Sequence, residues 1–244
     1  QSYVHLPSFL FSLPIVFVHF FLYMKVIKSA EALASEIAFE RKLSRSIGFT
    51  PTMGALHSGH LSLVEASKRE NDISVVSIFV NPKQFGESKD LTTYPKPIEK
   101  DMDMLITAGV DYLFLPDYED VYPNNIDFPE IPLGAIETTL EGESRPGHFQ
   151  GVALVVKRFF DIITPSNAYF GQKDFQQLQI IKEISQNTKI ISYKTIRQSN
   201  GLALSSRNLR LSPDGIMIAP KIHQTLNAIK EEISKSQNPD LEHI

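Results

Sequence analysis

The chain has no cysteine among its 244 residues, which excludes disulfide bonds, thiolate metal sites and a cysteine nucleophile. A sequence without cysteine also fits a reducing compartment, and we expect a cytoplasmic protein. There is no excess of positive charge, because 24 Lys and Arg residues stand against 28 Asp and Glu residues. The resulting net charge of −4 does not favour nucleic acid or an anionic membrane surface as a partner. Any chemistry must therefore use histidine, lysine, arginine, carboxylate and amide side chains.

Charged residues are also missing from residues 1–23, and the later part of this segment is almost wholly apolar. The run is near the short limit for a membrane span, and Pro7, Pro14 and His19 interrupt it. It has neither the basic start nor the small-residue cleavage site of a secretory signal. The sequence from Met24 resembles a natural start. Three interpretations stay open: an artefact added upstream of that start, a real hydrophobic or targeting extension that would allow membrane contact, and a packed N-terminal element.

Strand-like and helix-like segments alternate along the rest of the chain. Residues 73–80 form a nearly continuous apolar run, which is typical of a strand covered on both faces in a parallel sheet. We therefore expect an α/β fold, a doubly wound parallel sheet that binds ligands at the carboxyl ends of its strands. The predicted strands are 46–50, 73–80, 110–115, 167–170 and 189–197, and the predicted helices are 28–43, one from 57 or 58, 97–108, 152–163, 175–185 and one after Pro213. A polar loop is expected at 141–150.

The most informative stretch is PTMGALHSGH, where a strand turns into a helix. Pro51 and Gly54 are expected to end the strand. The free amides and the dipole at such a helix start favour an anion such as phosphate. His57 and His60 share a helix face, and Gly59 would let a ligand approach the backbone closely. We interpret the pair as a nucleotide-phosphate site in which two imidazoles stabilise charge on an α-phosphate. Two ordinary half-buried histidines after a turn are the alternative.

Further polar clusters follow predicted strands or precede predicted helices. Each cluster alone is a weak signal, because Gln-Lys-Asp at a helix start is as typical of capping as of catalysis, and Ser-Ser-Arg-Asn is common in loops. Their joint placement at one edge of one sheet favours a shared ligand site. Together with the histidine segment 53–60, the clusters are 81–85, 145–150, 171–177 and 204–208.

Taken together, PTMGALHSGH, FVNPKQFG, RPGHFQGVALVV, AYFGQKDFQQ and GLALSSRN resemble the motifs of the pantoate–β-alanine ligase family, in this order and at these spacings. The resemblance runs from about Met24 to the end of the chain. It implies a Rossmann-like member of the H-x-G-H nucleotidyltransferase superfamily. It also implies that ATP and pantoate form pantoyl adenylate and pyrophosphate, and that β-alanine then displaces AMP to give pantothenate. The family uses Mg²⁺ and forms homodimers.

The same resemblance implies roles for individual residues. His57, His60 and Lys173 would act on the phosphates, with His60 as the assigned proton donor, which we expect to stabilise charge in the transition state. Gln84 and Gln177 would bind pantoate through their amides, and Gln84 could also meet the amine of β-alanine. Further candidates on this acceptor side are Asn81, Arg145 and His148. The residues implied in ATP binding are Met53, Gly54, Ala55, Leu56, His57, Ser58, Gly59, His60, Gly171, Gln172, Lys173, Asp174, Ile196, Leu204, Ser205, Ser206 and Arg207.

Some of these candidates have simpler alternatives. Asp174 could hold a ribose hydroxyl or orient Lys173, and Ile196 would contribute only backbone contacts to the adenine. Arg145 could pair with a glutamate of its own loop. Asp101 is a weak candidate for contact with Mg²⁺, and a solvated helix residue is its simpler interpretation.

The two ends of the chain affect the functional prediction. We expect residues 24–199 to form the domain that binds ATP and pantoate. Residues 200–244 would form part of a lid domain that the family completes with further residues. Two other functions stay open: an H-x-G-H adenylyltransferase acting on a phosphate ester such as phosphopantetheine, and a truncated module that binds ATP without full activity. An adenylyltransferase would need a basic pocket for the acceptor phosphate, whereas Gln84 and Gln177 favour an uncharged diol.

Overall fold

The computed structural model describes residues 24–86 and 88–235. The interpretations of the first 23 residues, and of the polar tail from residue 236, therefore lie outside the described residues. None of the described helices combines the length and the apolar character that a membrane span requires.

A single sheet of six strands, all paired in parallel, organises the described part of the chain. The strands are β1 (Lys25–Ile27), β2 (Ile47–Thr52), β3 (Ile73–Ile78), β4 (Tyr112–Phe114), β5 (Asn167–Gly171) and β6 (Lys189–Tyr193). Their order is β1-β4-β3-β2-β5-β6, so the chain winds outward from β2 to β4 and then returns to the other side of β2. This confirms the doubly wound parallel sheet. The short edge strand β1 has no counterpart among the predicted strands.

The sheet carries helices on both faces because its central strands are apolar on both faces. The described helices are α1 (Ala30–Lys42), α2 (Ser58–Glu70), α3 (Ser88–Thr92), α4 (Ile98–Thr107), α5 (Tyr118–Val121), α6 (Glu141–Ser144), α7 (His148–Ile163), α8 (Phe175–Ile184), α9 (Pro213–Ile218) and α10 (Pro220–Lys235), with 3₁₀ turns at Pro82–Gln84, Gly134–Glu137 and Ser206–Arg210. Successive strand residues point to opposite faces. Val75 accordingly belongs to one apolar cluster with α1 and α7, and Val76 to another with α2 and α4.

The first predicted strand is longer than the sequence indicates. The prediction ends it before Pro51, but β2 continues to Thr52 and stays paired with β3 over its whole length. Pairing between β2 and β5 is limited to Gly48 and Phe49, so Pro51 lies where these two strands have parted. A proline is tolerated in a strand where one neighbour is missing, because no hydrogen bond of the ladder is lost there. The parting also opens a crevice at the position where the winding reverses, which is where such sheets bind ligands.

The polar loop predicted at 141–150 is wrong in part. It contains the short helix α6, and α7 begins at His148 rather than at Val152. The first turn of α7 packs directly on the 3₁₀ turn after β3. A Cβ on Gly151 would lie 2.2 Å from the carbonyl oxygen of Lys83, so only glycine allows this approach. The close contact brings the start of α7 next to Gln84.

The final helix predicted after Pro213 is divided in two. α9 ends at Ile218 and α10 starts at Pro220, a residue that cannot continue a helix through its own amide. The boundary between residues 199 and 200, and the lid assigned to the second part, stay predictions.

Candidate functional site

A cleft opens at the carboxyl edge of β2 and β5, where the winding of the sheet reverses. Its wall is formed by the segment after β2, the loop after β5, the start of α7 and the segment that follows β6. Sixteen of the predicted site residues line it: Met53, His57, Gly59, His60, Gln84, Arg145, His148, Gly171, Lys173, Asp174, Gln177, Ile196, Leu204, Ser205, Ser206 and Arg207. Clusters that are distant in sequence therefore lie together at the carboxyl ends of the strands, as predicted.

The two motif histidines cap helix α2 with their own rings. His57 is the N-cap residue, which agrees with the helix start predicted at 57 or 58. The backbone N–H of Gly59 donates to Nδ1 of His57 at 3.1 Å, and the backbone N–H of His57 donates to Nδ1 of His60 at 3.3 Å. A nitrogen that accepts a hydrogen bond carries no proton. Each neutral ring therefore carries its proton on Nε2.

The surroundings of the two rings keep both of them neutral. The imidazoles stack with their centroids 4.0 Å apart and their planes 28° from parallel. Burial, followed by the charge of Lys173, lowers the pKa of His57. Burial, followed by His57 and Lys173, lowers the pKa of His60 to about 3. Near neutral pH the pair therefore offers two N–H donors and no proton that is easily given up.

Gly59 has a different purpose from the one expected. The sequence suggests that it leaves room for a ligand, but a Cβ at this position would lie 2.9 Å from Cε1 and Nδ1 of His57. The His57 ring itself uses the space. Gly171 also lines the cleft, and a Cβ at this glycine would meet nothing within 4 Å. A ligand could therefore approach the backbone closely at Gly171.

Five residues implied in ATP binding do not line the cleft, and their role stays a prediction: Gly54, Ala55, Leu56, Ser58 and Gln172. Ala55 and Leu56 are only 7% exposed, and their amides donate to another side chain, so these amides are not available to a phosphate. The amide of Gly54 donates to Oγ1 of Thr52 at 3.2 Å. Ser58 and Gln172 are exposed outside the cleft.

The side chain that accepts from this turn is Asp101, and the simpler interpretation offered for it is wrong. It is not a solvated helix residue, because its exposed fraction is 0%. Its Oδ2 accepts from the N–H of Ala55 at 2.7 Å, and its Oδ1 accepts from the N–H of Leu56 at 2.8 Å. Both oxygens of this carboxylate are thus engaged by backbone amides, and its contact with Mg²⁺ stays a prediction. No group of three or more potential metal-ligating side chains occurs within 24–86 and 88–235.

Gln84 lies at the centre of the acceptor side of the cleft, which is the side predicted to bind pantoate. Nε2 of Gln84 donates to Sδ of Met53 at 3.0 Å. Nδ1 of His148 lies 2.8 Å from the backbone carbonyl oxygen of Gln84. A carbonyl oxygen only accepts, so Nδ1 of His148 donates. Burial, as the largest cause, lowers the pKa of His148, and the neutral ring then has an acceptor at Nε2. The cleft therefore combines an amide with an acceptor nitrogen here.

Two other acceptor-side candidates are engaged within the chain. Asn81 is 1% exposed and lies off the cleft wall, so a direct substrate contact is not supported. Nδ2 of Asn81 donates to the carbonyl oxygen of Gly151 at 2.9 Å. The same Nδ2 also donates to Oε1 of Gln84 at 3.3 Å. Arg145 lines the cleft, but its Nη1 pairs with Oε1 of Glu141 at 2.6 Å, as the simpler alternative held.

Cations reach the cleft from two sides. Nζ of Lys173 lies 3.0 Å from Oδ1 of Asp174, which is the orienting arrangement considered for that pair. On the other side, Nη2 of Arg207 pairs with Oδ2 of Asp90 at 2.9 Å. Ser206 is anchored in the same region, with its Oγ 3.1 Å from the hydroxyl of Tyr94.

Several residues of the site were missed by sequence reasoning. Lys194 and Thr195 line the cleft directly after β6. The prediction continues this strand to 197, but it ends at Tyr193, so the rule that ligands gather at carboxyl strand ends did not point to them. Tyr94 lies in the segment between α3 and α4, and its ring also lies under the guanidinium of Arg207 at 5.7 Å. No sequence pattern marks Tyr94 or Asp90.

Comparisons with known proteins agree with this geometry. A family model described as Pantoate-beta-alanine ligase matches residues 25–243. A relative named pantothenate synthetase from Cytophaga hutchinsonii is 45% identical over 215 residues, covering 86% of this chain and 76% of that protein. Another from Caldicellulosiruptor bescii is 46% identical over 202 residues, covering 81% of this chain and 71% of that protein.

Solved structures give the same result. The crystal structure of pantothenate synthetase from Thermus thermophilus matches with a TM-score of 0.81 and 41% identity, over 87% of this chain and 76% of that one. The pantoate-beta-alanine ligase from Francisella tularensis, complexed with beta-gamma ATP and beta-alanine, matches with a TM-score of 0.78 and 44% identity, over 84% of this chain and 80% of that one. The fold, the cleft and these matches agree: the chain belongs to the pantoate–β-alanine ligase family.

Proposed function

We propose that the protein condenses pantoate with β-alanine in an ATP-dependent reaction that passes through pantoyl adenylate. The observation that carries the proposal is the pair of capping histidines. Their Nδ1 atoms accept backbone N–H groups, so both rings offer Nε2–H donors at the winding reversal of the sheet. Neutral donors in a partly enclosed cleft suit charge that develops on a phosphate. The ATP complex of the related Francisella tularensis ligase supports ATP as the nucleotide.

In the first step the carboxylate of pantoate attacks the α-phosphorus of ATP. A new P–O bond forms, the bond to the β-phosphate oxygen breaks, and pyrophosphate leaves with the electron pair. The pentacovalent centre carries extra negative charge on its equatorial oxygens. His57 and His60 would donate Nε2–H bonds to this charge, and the ammonium of Lys173 would neutralise phosphate charge beside them.

The acceptor side of the cleft supports an uncharged diol rather than a phosphate ester. Gln84, Gln177 and His148 offer amides and an acceptor nitrogen, which suit hydroxyls and a single carboxylate. The arginine on this side, Arg145, is already paired with Glu141. A phosphopantetheine phosphate would have to compete with Glu141 for this guanidinium.

In the second step the neutral amine of β-alanine attacks the carbonyl carbon of the adenylate. A C–N bond forms, the C–O bond to AMP breaks, and AMP leaves with that electron pair while the amine loses a proton. Gln84 would orient the amine through its side-chain amide. On the other side, Ser205, Ser206 and Arg207 would hold the triphosphate during the first step, because their 3₁₀ turn presents hydroxyl and guanidinium donors to the cleft.

Magnesium belongs to the proposal as a companion of ATP. Mg²⁺ keeps several waters and is usually bound by substrate phosphates with one or two carboxylates, so a cage of protein ligands is not required. The donor set of the cleft fits this mode, because Asp174 supplies a carboxylate on its wall. When bound, the ion would offset the charge of the triphosphate. Because the chain belongs to this family, the proposal also includes that the protein is a homodimer and is located in the cytoplasm.

Pyrophosphate release separates the proposed function from its alternatives. The protein should release pyrophosphate with ATP and pantoate, and should release AMP in step with pantothenate once β-alanine is added. Phosphopantetheine should give no release. Release with phosphopantetheine and not with pantoate would identify an adenylyltransferase, and ATP binding without release from either acceptor would identify a binding module.

A further inference from the structure

The buried carboxylate of Asp101 lies directly behind the histidine motif. Its two oxygens accept from two successive amides, those of Ala55 and Leu56, at 2.7 and 2.8 Å. None of the ion pairs formed by the described residues involves Asp101. The charge is balanced by these amides and by the start of its own helix, because Asp101 lies in the first turn of α4. A buried carboxylate with this arrangement is committed to one backbone segment.

The segment that it holds has an unfavourable conformation. Gly54 has a φ of +81°, and Ala55, which carries a Cβ, has a φ of +49°. A left-handed alanine persists only where its surroundings compensate for the strain. The two hydrogen bonds that Asp101 accepts provide that compensation, since both amides are otherwise buried without an acceptor. The turn therefore depends on a side chain that lies 46 residues further along the chain.

The same turn determines how the two histidines are oriented. Leu56 directly precedes His57, whose backbone N–H donates to Nδ1 of His60. A shift of the Leu56 amide would move the N-cap and, with it, both hydrogen bonds that keep the ring protons on Nε2. We propose that Asp101 is a positioning residue that holds the His57 and His60 rings with their Nε2–H groups toward the cleft. The inference rests on the proposed function of these rings as donors to phosphate.

The test uses Asp101→Asn with two controls, one on the same helix and one on α1. The asparagine offers one oxygen, and its NH₂ group faces the second amide, so one of the two hydrogen bonds is lost. Asp103→Asn makes the same chemical change at an exposed position. Leu33→Ala removes a fully buried side chain that belongs to a different apolar cluster from Leu56, and so lowers stability without the proposed effect.

The first readout is the tautomeric state of the ring nitrogens in long-range ¹H–¹⁵N spectra, with the signals assigned by single replacement of each histidine. Asp101→Asn should convert the Nε2–H form of His57 and His60 into a mixture of tautomers, whereas both controls keep the Nε2–H form. The second readout is adenylate formation, where Asp101→Asn should lower kcat by about 10- to 100-fold with little change in the KM for ATP. Wild-type ring signals in Asp101→Asn would overturn the inference, as would the same ring changes in Leu33→Ala.

A further variant separates positioning from folding. Ala55→Gly relieves the left-handed strain, so the double variant Asp101→Asn/Ala55→Gly should recover stability but still show mixed tautomers. If neither variant folds, Asp101 serves stability and the inference is wrong. If the wild-type protein forms no adenylate, the proposed function fails, while the ring spectra still decide the role of Asp101.

Discussion

His60 uses its two ring nitrogens for separate purposes, and two substitutions can separate them. Nδ1 accepts the N–H of His57 at 3.3 Å, and Nε2–H remains for the cleft. An asparagine places its amide oxygen near the position of Nδ1, and a glutamine places its amide nitrogen near that of Nε2. His60→Asn therefore keeps the helix cap and removes the proposed phosphate donor, whereas His60→Gln keeps a donor and removes the cap.

The expected magnitudes differ between the two variants. Removal of one preorganised donor to transition-state charge costs about 10²–10³-fold in kcat, or about 2.7–4 kcal/mol. Loss of a helix cap costs about 1 kcal/mol of stability. His60→Asn should thus lose about 10²–10³-fold in kcat at nearly unchanged stability. His60→Gln should lose about 1 kcal/mol in the free energy of unfolding and retain more turnover than His60→Asn.

The assay compares kcat for pyrophosphate release at saturating ATP and pantoate, the Kd for ATP and the free energy of unfolding in denaturant. His223→Asn on α10, which lies outside the cleft, is the control and should resemble the wild-type protein. The Kd for ATP should change much less than kcat in both variants, because the donors act mainly on charge that develops during the reaction. Equal losses in affinity and kcat would make His60 a ground-state ligand, and a more active asparagine than glutamine variant would refute the division of roles.

Three further predictions follow from the same contacts. Gln84→Ala and Gln177→Ala should each raise the KM for pantoate by an amount equivalent to about 1–3 kcal/mol while ATP affinity stays nearly intact; a selective loss of ATP binding would contradict their placement. Gly151→Ala should lower the melting temperature although alanine favours helices, because its Cβ would lie 2.2 Å from the Lys83 carbonyl oxygen; a stabilised variant would disprove the close packing. Burial lowers the pKa of His60 from its ordinary value of 6.5 to about 3. Between these two pH values the unfolded chain binds more protons than the folded chain, so the free energy of unfolding decreases as the pH falls below 6.5. His60→Gln should reduce the slope of the free energy of unfolding against pH by at most about 1.4 kcal/mol per pH unit. Denaturant titrations from pH 7 to pH 4 measure this slope, and an unchanged slope would show that His60 is not buried in its neutral form.

The sheet and the place of the cleft could be predicted from the sequence because both depend on local patterns. The apolar run of β3 and the strand–glycine–helix order around His57 are readable within a few residues. The rule that carboxyl strand ends share one edge then brings Gly171 and Gln84 to the same cleft without knowledge of any contact.

What could not be predicted depends on pairs that are distant in sequence. Asp101 looks like a solvated residue in the first turn of an amphipathic helix, and only the tertiary structure buries it against the Ala55 turn. Asn81 resembles a ligand-binding amide at a strand end, but it is buried and its side chain bonds to groups of the protein, among them Gln84 and the Gly151 carbonyl. Pro51 resembles a strand breaker because the sequence does not show that β2 and β5 part before it.

The cleft wall draws on segments as far apart as Met53 and Arg207, and this separation has a thermodynamic consequence. A nucleotide that spans the wall finds its partners together only in the folded chain, so its binding free energy adds directly to the free energy of unfolding. At a ligand concentration one hundred times the Kd, this linkage amounts to about 2.7 kcal/mol. The rise in melting temperature with ATP therefore measures the integrity of the whole sheet edge, and a variant that melts normally alone but loses this rise has a damaged wall rather than a damaged fold.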